Sequence, residues 1–213
     1  MADFLLDFFF PRKCLGCGKQ GSYFCSYCLN RLFLKNEPIC PVCSRPTPKG
    51  ITHRQCLSVQ TLDGLTCVFA YQGLIKKAIK KLKDRFVTDL AQDLVEALLS
   101  FCGENKAFVK FCQEKPVFVP MPLHPRKKRW RGFNQAELLG EMIAANFNLS
   151  FAPNLLVKTK TTKQGAFKVS QPLPGQKLIL FDDFWVTGKT LKEATKALKK
   201  AGAKKVWGLT LAR

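Results

Sequence analysis

The sequence has no long apolar run, and its N-terminus lacks the marks of a secretory signal. No stretch approaches the roughly 18 consecutive apolar residues that a membrane-spanning helix requires, so membrane insertion is not expected. The apolar segment 1–10 contains Asp3 and Asp7, and it lacks both a basic start and a small-residue cleavage site. We therefore expect a cytoplasmic protein.

Acidic residues are scarce. The 213 residues include 15 Asp and Glu against 35 Lys and Arg, which gives a formal charge of +20. This charge does not determine a fold, but it favours an anionic partner: nucleic acid, an anionic membrane surface or a polyphosphate substrate. Apolar residues make up 46% of the chain, which argues against intrinsic disorder. The length fits one ordinary domain together with a small module.

Cysteine is concentrated near the N-terminus, where seven of the ten lie in the first 56 residues. They form four knuckles of two potential ligands each, and the last knuckle uses one of the two histidines of the chain. The ligands are Cys14, Cys17, Cys25, Cys28, Cys40, Cys43, His53 and Cys56. Because Zn²⁺ takes four N or S ligands in a tetrahedron, eight ligands complete two structural sites. Metal binding would supply much of the folding free energy of so small a segment.

Two other interpretations of these cysteines stay open. A disulfide framework needs an oxidising compartment, to which nothing in the sequence directs the chain. A redox pair usually opens a helix within a βαβ unit, which this segment lacks. We therefore favour zinc, with sequential pairing of residues 14–28 and 40–56, and crossed pairing is the alternative. The remaining cysteines are expected to be buried thiols: Cys67, Cys102 and Cys112.

Beyond residue 60 the chain alternates short apolar strands with helical periodicity. Strands are predicted at 65–71, 117–121, 177–181 and 206–211, and helices at 74–82, 89–101, 134–147 and 190–201. This alternation predicts an α/β domain over 61–213 with a mostly parallel sheet and flanking helices, preceded by a zinc-binding module over 1–60. Ligands of such sheets bind beyond the carboxyl ends of the strands.

The strand at 177–181 runs into two acids, a short loop and a helix start. The N–H groups and the positive dipole end near 187–190 form an anion site, where Gly188 lets the backbone approach a phosphate. Asp182 and Asp183 suit hydroxyl groups, directly or through hydrated Mg²⁺. A Walker A loop is excluded because it requires glycine at the position of Asp183. The combination indicates a sugar phosphate, and an ordinary turn with two capping acids is the alternative.

This segment resembles the ribose-5-phosphate-binding signature of type I phosphoribosyltransferases, which use 5-phosphoribosyl-1-pyrophosphate (PRPP) with Mg²⁺. The resemblance implies that Asp182 and Asp183 are catalytic-site residues that face the ribose hydroxyls. It also implies a cradle for the 5-phosphate, made of Val186, Thr187, Gly188, Lys189 and Thr190. The signature usually has a hydroxyl residue at the position of Val186, so this chain loses one side-chain donor and keeps the backbone donors.

A second segment, 119–139, contains P-M-P-L-H, a basic stretch and R-G-F-N-Q-A. It resembles the corresponding stretch of the competence protein F (ComF) family, and the N-terminal zinc knuckles agree. The resemblance covers nearly the whole chain and implies a phosphoribosyltransferase-like domain behind a double zinc ribbon. The resemblance implies DNA uptake during natural transformation, with other competence or DNA-processing proteins as partners. The clustered positive charge of this chain adds single-stranded DNA as an expected partner. A sister branch is linked to gluconate or iron–sulfur physiology, and the sequence does not separate the two roles.

The basic stretch places five cations within residues 126–131. Three of them are our candidates for receiving pyrophosphate: Arg126, Arg129 and Arg131. A solvated basic loop is the alternative interpretation. Asn134 and Gln135 are expected to cap the following helix or to shape the loop. His124 has no visible partner for acid–base chemistry.

The helix predicted at 74–82 has an apolar face and a lysine face. The candidates for salt-sensitive contact with nucleic-acid phosphates are Lys76, Lys77, Lys80 and Lys81. Trp130 and Trp185 could stack on bases, and core packing is the alternative for each.

Residues 158–164 lead directly into Gly165-Ala166-Phe167, where the family usually has a longer stretch. Related transferases use a flexible loop in this region to exclude water from an oxocarbenium-like transition state. Two functions therefore stay open. One is a Mg²⁺-dependent phosphoribosyltransferase with an unknown acceptor, and the other is a non-catalytic single-stranded nucleic-acid-binding protein that keeps the pocket.

Overall fold

The computed structural model describes residues 12–31, 37–84, 88–159 and 166–213. Within these ranges, no helix combines the length and the apolar character needed to traverse a bilayer. The expectations for the segment 1–10, and for residues 160–165 of the shortened stretch, fall outside the described residues.

Four parallel strands form the central sheet, and two short strands form a separate hairpin. The strands of the described residues are β1 (Gly64–Phe69), β2 (Val117–Pro120), β3 (Leu156–Lys158), β4 (Phe167–Val169), β5 (Lys177–Phe184) and β6 (Lys205–Ala212). The sheet order is β1-β6-β5-β2, and β3 pairs with β4 in antiparallel orientation.

Helices connect the strands and cover the sheet. Their bounds are α1 (Ser26–Asn30), α2 (Gly73–Asp84), α3 (Thr88–Cys102), α4 (Lys106–Gln113), α5 (Pro125–Arg131), α6 (Gln135–Asn146) and α7 (Lys189–Lys200). α3 and α6 pack on each other, α3 packs on β1, and α6 packs on β2 and β5, whereas α7 packs on β4, β5 and β6. Residues 178–181 of β5 are all buried, which is typical of a strand covered on both faces.

The predicted α/β architecture with a mostly parallel sheet is confirmed, as is the N-terminal module with its cysteine clusters. Element boundaries differ where tertiary pairing extends a strand. β5 continues beyond Phe181 because it stays paired with β6 as far as Phe184 and Ala212. α4 and the β3–β4 hairpin have no counterpart among the predicted elements.

Residues 126–131, for which a solvated basic loop is the alternative interpretation, lie in a helix, α5. Pro125 occupies the first helical position, where its fixed φ favours the helix and its missing N–H removes no hydrogen bond. The Nδ1 atom of His124 accepts a hydrogen bond from the Arg126 N–H at 3.3 Å and caps the helix start. Gly132 ends the helix with a φ of +80°. Helical periodicity therefore determines which of these cations lie on one face.

The N-terminal module packs directly on the α/β domain. Phe24 and Ile39 are buried in the same hydrophobic core as the sheet residues. The Tyr23 N–H donates a hydrogen bond to Asp93 Oδ2 of α3 at 3.0 Å. Ile51 forms an antiparallel bridge with the first residue of β1. The domain boundary near residue 60 remains a prediction from the sequence.

Candidate functional site

A cavity of about 210 Å³ lies at the carboxyl ends of β2 and β5. β2 ends at Pro120, opposite Phe181, whereas β5 continues through Phe184 against β6. The end of β5 is therefore open on the side where β2 stops. The described lining residues come from the segment after β2, from β3 and β5, and from α5 and the first turns of α6 and α7. Open parallel sheets bind their ligands at this edge.

Both acids of the sequence motif, Asp182 and Asp183, line the cavity. Asp182 lies in register with Thr210 of β6, and its Oδ1 atom accepts a hydrogen bond from the Asp183 N–H at 2.9 Å. Carboxylate oxygens accept hydrogen bonds from hydroxyl groups, and they are ligands that Mg²⁺ takes, commonly with several waters retained. This donor set fits a hydrated Mg²⁺ carried by a hydroxylated anion.

The turn before α7 has the backbone arrangement of an anion site. Gly188 flanks the helix with a φ of +65°. The first intrahelical hydrogen bond runs from the Lys192 N–H to the Gly188 oxygen at 2.8 Å, so the N–H groups of residues 189–191 point out of the helix end. Thr190 lines the cavity. Three other members of the predicted cradle are exposed on the same turn: Val186, Thr187 and Lys189.

Trp185 lies directly beneath this turn. It is 2% exposed, and a Cβ atom added to Gly188 would lie 2.1 Å from its ring. The Nζ atom of Lys192 lies 5.7 Å from the ring centroid, within cation–π range. Core packing is thus the correct interpretation of Trp185, and base stacking is not. Trp130 on α5 is 83% exposed.

Three cations line the cavity from two elements. Lys127 and Arg131 lie four residues apart and therefore on one face of α5, and Lys158 comes from β3. Arg126 and Arg129 are exposed elsewhere on α5 and are not among the described lining residues. The candidate set from the sequence therefore lacks Lys127 and Lys158. The His-Pro start of α5 and the four-residue spacing are the signals that could have identified Lys127.

Asn134 and Gln135 have different roles at the start of α6. The Asn134 Oδ1 atom accepts a hydrogen bond from the Ala136 N–H at 3.1 Å, and its Nδ2 atom donates to the Met121 oxygen at 3.0 Å. Asn134 is therefore the helix cap, as expected. Gln135 is 3% exposed and lines the cavity, and its Nε2 atom has no hydrogen-bond partner among the described residues.

Two of the four candidate lysines of α2 contact the N-terminal module. The Lys77 Nζ atom donates to the Leu15 oxygen at 3.4 Å, and the Lys81 Nζ atom lies 4.6 Å from the centroid of the Tyr23 ring. Lys76 and Lys80 are exposed, one turn apart on the helix. Fewer lysines of α2 are therefore available to contact nucleic acid than the sequence pattern implies.

The eight predicted metal ligands form two clusters in the sequential grouping. They are Cys14, Cys17, Cys25 and Cys28, and Cys40, Cys43, His53 and Cys56, with the ligand atoms of each cluster within 4.8 Å of one another. The Cys17 and Cys25 sulfurs are 3.6 Å apart, and the Cys43 sulfur is 3.4 Å from His53 Nδ1. Tetrahedral Zn–S bonds of about 2.3 Å separate two thiolates by about 3.8 Å, against about 2.05 Å in a disulfide. All ten cysteines are free, and both sets fit structural Zn²⁺.

Backbone N–H groups favour the thiolate form of the first cysteine in each cluster. Burial raises the pKa of the Cys14 thiol, but hydrogen bonds from backbone N–H groups, with that of Cys25 foremost, lower this pKa to about 6. Burial likewise raises the pKa of Cys40, and hydrogen bonds led by the Cys43 N–H lower it to about 6. Because the thiolate is the metal-binding form, both side chains are ready to coordinate at neutral pH.

The second metal cluster lies next to the first turn of α7. Val42 lies between Cys40 and Cys43, and its carbonyl oxygen accepts a hydrogen bond from the Lys192 Nζ atom at 3.3 Å. The same lysine lies over the Trp185 ring beneath Gly188. Lys192 therefore connects the metal cluster to the candidate anion turn.

Known proteins match both parts of the chain. Residues 5–57 match the double zinc ribbon domain family. Competence protein ComFC of Bacillus subtilis is 29% identical over 89% of this chain and 83% of its own length. Competence protein F of Haemophilus influenzae is 25% identical over 96% and 99%, respectively. DNA utilization protein YhgH of Escherichia coli K12 is 25% identical over 87% and 88%. These matches confirm the resemblance to the competence protein F family.

Proposed function

We propose that the cavity binds PRPP or a related ribose phosphate with Mg²⁺, and that the protein acts in DNA uptake during natural transformation. The observation that carries the first part is the cavity itself, which combines two carboxylates, a helix N-terminus and three cations at the carboxyl edge of a parallel sheet. The second part is supported by relatives named as competence and DNA utilization proteins, similar to this chain over most of its length.

Each group has a role that its chemistry suits. Asp182 and Asp183 accept hydrogen bonds from the ribose hydroxyls, and Mg²⁺ would neutralise phosphate charge beside them. The turn 186–190 donates backbone hydrogen bonds to the 5-phosphate. Lys127, Arg131 and Lys158 stabilise a departing pyrophosphate, and the exposed Arg126 and Arg129 raise the local positive potential. In a transferase, the bond from ribose C1 to the pyrophosphate oxygen breaks and a bond from C1 to the acceptor forms.

Calorimetric titration of the zinc-replete protein with PRPP and Mg²⁺ tests this proposal. Asp182→Asn removes one carboxylate charge from the cavity, and we expect an affinity loss of roughly 10- to 100-fold. Glu141→Gln is the matched control, because Glu141 is an exposed acid of α6 outside the described lining. An unchanged affinity in Asp182→Asn, or no binding by the wild type, would sink the assignment.

Contact with single-stranded DNA is a second candidate function, independent of turnover. Trp130 is 83% exposed on α5 between two arginines, next to the face that lines the cavity. Exposed aromatic side chains among cations stack on bases, and each stack contributes about 1–3 kcal/mol. The exposed Lys76 and Lys80 of α2 supply phosphate contacts.

Salt titrations of single-stranded DNA binding test the second candidate. If each lysine contacts one phosphate, exchanging both Lys76 and Lys80 for Glu should make the negative slope of log K against log salt shallower by about 1.4. The matched control exchanges Lys106 and Lys110 for Glu, because they are two exposed lysines with the same spacing on α4. Trp130→Ala should weaken binding without changing the slope. If the α2 and α4 pairs behave alike, only net charge matters and α2 is not an interface.

A further inference from the structure

Gln135 is a buried polar side chain that the fold leaves unsatisfied. It is 3% exposed, it lines the cavity at the carboxyl edge of the sheet, and its Nε2 atom has no hydrogen-bond partner among the described residues. A buried amide donor without a partner loses its hydration and gains nothing in return. Such a group at this position needs an explanation beyond folding.

The start of α6 does not need Gln135. Asn134 already satisfies the helix end, because it accepts from the Ala136 N–H and donates to the Met121 oxygen. Gln135 is the first residue of the helix, and a purely apolar side chain of the same length would fill the same space without an orphaned donor. The stability of the free protein therefore does not account for the amide.

The neighbouring groups define what the amide can recognise. The cavity also contains two carboxylates, which only accept hydrogen bonds, and the cations Lys127, Arg131 and Lys158. Bound anions and hydroxyl groups would bring oxygen acceptors into this space. Unlike the three cations, the amide is an uncharged donor of fixed geometry. It therefore favours a ligand that places an oxygen acceptor beside it over one that places a carbon atom or another donor there.

We propose that the side-chain amide of Gln135 donates a hydrogen bond to an oxygen of the ribose phosphate in the cavity and so helps to select that ligand. This inference rests on the proposed function. It makes Gln135 a specificity-determining contact whose hydrogen bond is completed by the ligand and not by the protein.

Gln135→Met separates this role from a structural one, because the two roles predict shifts of opposite sign. Methionine keeps the length and removes the donor. In the free protein we expect the Tm to rise by about 2–4 °C, because the unsatisfied group is gone. The affinity for PRPP with Mg²⁺ should fall about 10-fold, because the ligand loses one donor. Gln113→Met, at an exposed glutamine of α4, is the control and should change neither quantity.

Gln135→Glu tests the need for a donor in particular. The carboxylate has nearly the shape of the amide, but it presents acceptors and a negative charge beside Asp182 and Asp183. We expect an affinity loss larger than that of Gln135→Met, roughly 100-fold. Binding by Gln135→Glu at the wild-type level would overturn the inference.

Three probes locate the acceptor atom: PRPP, ribose 5-phosphate and pyrophosphate, each with Mg²⁺. A loss shared by PRPP and ribose 5-phosphate places the acceptor on the ribose phosphate, and a loss shared by PRPP and pyrophosphate places it on the diphosphate. Wild-type binding that Gln135→Met leaves intact for all three probes overturns the role of Gln135 and spares the proposed function. A lowered Tm in Gln135→Met also overturns it. If the wild-type protein binds none of the three probes, both proposals are overturned.

Discussion

Gly188 is the residue on which the candidate phosphate turn depends most directly. Its φ of +65° lies in the left-handed region, and a Cβ atom there would meet the Trp185 ring at 2.1 Å. A left-handed conformation costs a non-glycine residue about 1–2 kcal/mol, and the contact with a buried indole adds a clash that neither side can relieve freely. Glycine is therefore required twice at one position, by its backbone conformation and by its closeness to the ring.

The chain offers a matched pair of glycines to separate these two requirements. Gly175→Ala places a Cβ at a φ of +72° with no atom within 4 Å, so it carries the conformational cost alone. We expect Gly188→Ala to lower the Tm by clearly more than Gly175→Ala does, since each kcal/mol of lost stability lowers the Tm by about 2–4 °C. We also expect Gly188→Ala to abolish binding of the phosphate ligand. Thermal denaturation and calorimetry measure both effects. Equal Tm losses in the two variants would contradict the packing of the turn on Trp185.

At the scale of elements, a carboxylate joins the ends of β5 and β6 that lie opposite the cavity. Glu114 Oε2 lies 2.7 Å from the Lys177 Nζ atom and 4.0 Å from that of Lys205, at the first residues of the two strands. The hydrogen bond from Lys177 lowers the pKa of Glu114 below its ordinary value of 4.5, against an opposing effect of burial. The ionised carboxylate therefore favours the folded state.

The sign of this pKa change determines a pH dependence. The contribution of Glu114 is fully present above its ordinary pKa of 4.5 and is lost as the pH falls through the lower pKa of the folded protein. We expect Glu114→Gln to reduce stability at pH 7 by about 0.2–1 kcal/mol, because the pair is partly solvated. Below pH 4.5 the difference from the wild type should shrink towards zero. Urea unfolding at a series of pH values measures it.

Glu104→Gln is the control for Glu114→Gln, since Glu104 is exposed and has no ion pair with another described residue. It should leave stability nearly unchanged at every pH. A Glu114→Gln difference that persists undiminished at acid pH would show that charge is not the cause.

At the scale of the whole molecule, the metal-binding module is part of the structure that supports the cavity. Phe24 and Ile39 belong to the main core, and Lys192 joins the Val42 carbonyl to the helix that starts at the anion turn. Because a structural Zn²⁺ holds its ligands in place, loss of the second site should disturb this turn, whereas loss of the first site should not.

Single-ligand variants test this asymmetry. Cys17→Ser and Cys43→Ser should each reduce the zinc content from two ions to one per chain, as measured by chelator titration. We expect Cys43→Ser, and not Cys17→Ser, to weaken PRPP binding as well. Cys112→Ala, at a buried thiol outside both clusters, should retain both ions. Equal effects of the two ligand variants on PRPP binding would exclude a specific link through Lys192.

The sequence by itself determined the features that depend on local order along the chain. Ligand spacing defined the two metal sets, and strand and helix periodicity defined the α/β class, because these patterns need no knowledge of distant residues. The strand, acid pair and glycine turn at 177–190 were likewise readable as one motif. The start of α5 was encoded too, in His124 and Pro125.

Tertiary structure alone decided which side chains share the cavity and which are withdrawn into contacts. Lys127, Lys158 and Gln135 come from separate elements and converge because β2 stops one residue short of the acid pair. Trp185 is buried by the turn that it supports, and Lys77 and Lys81 are drawn to the N-terminal module. These outcomes follow from packing between residues far apart in sequence, and local periodicity carries no information about which distant surfaces will meet.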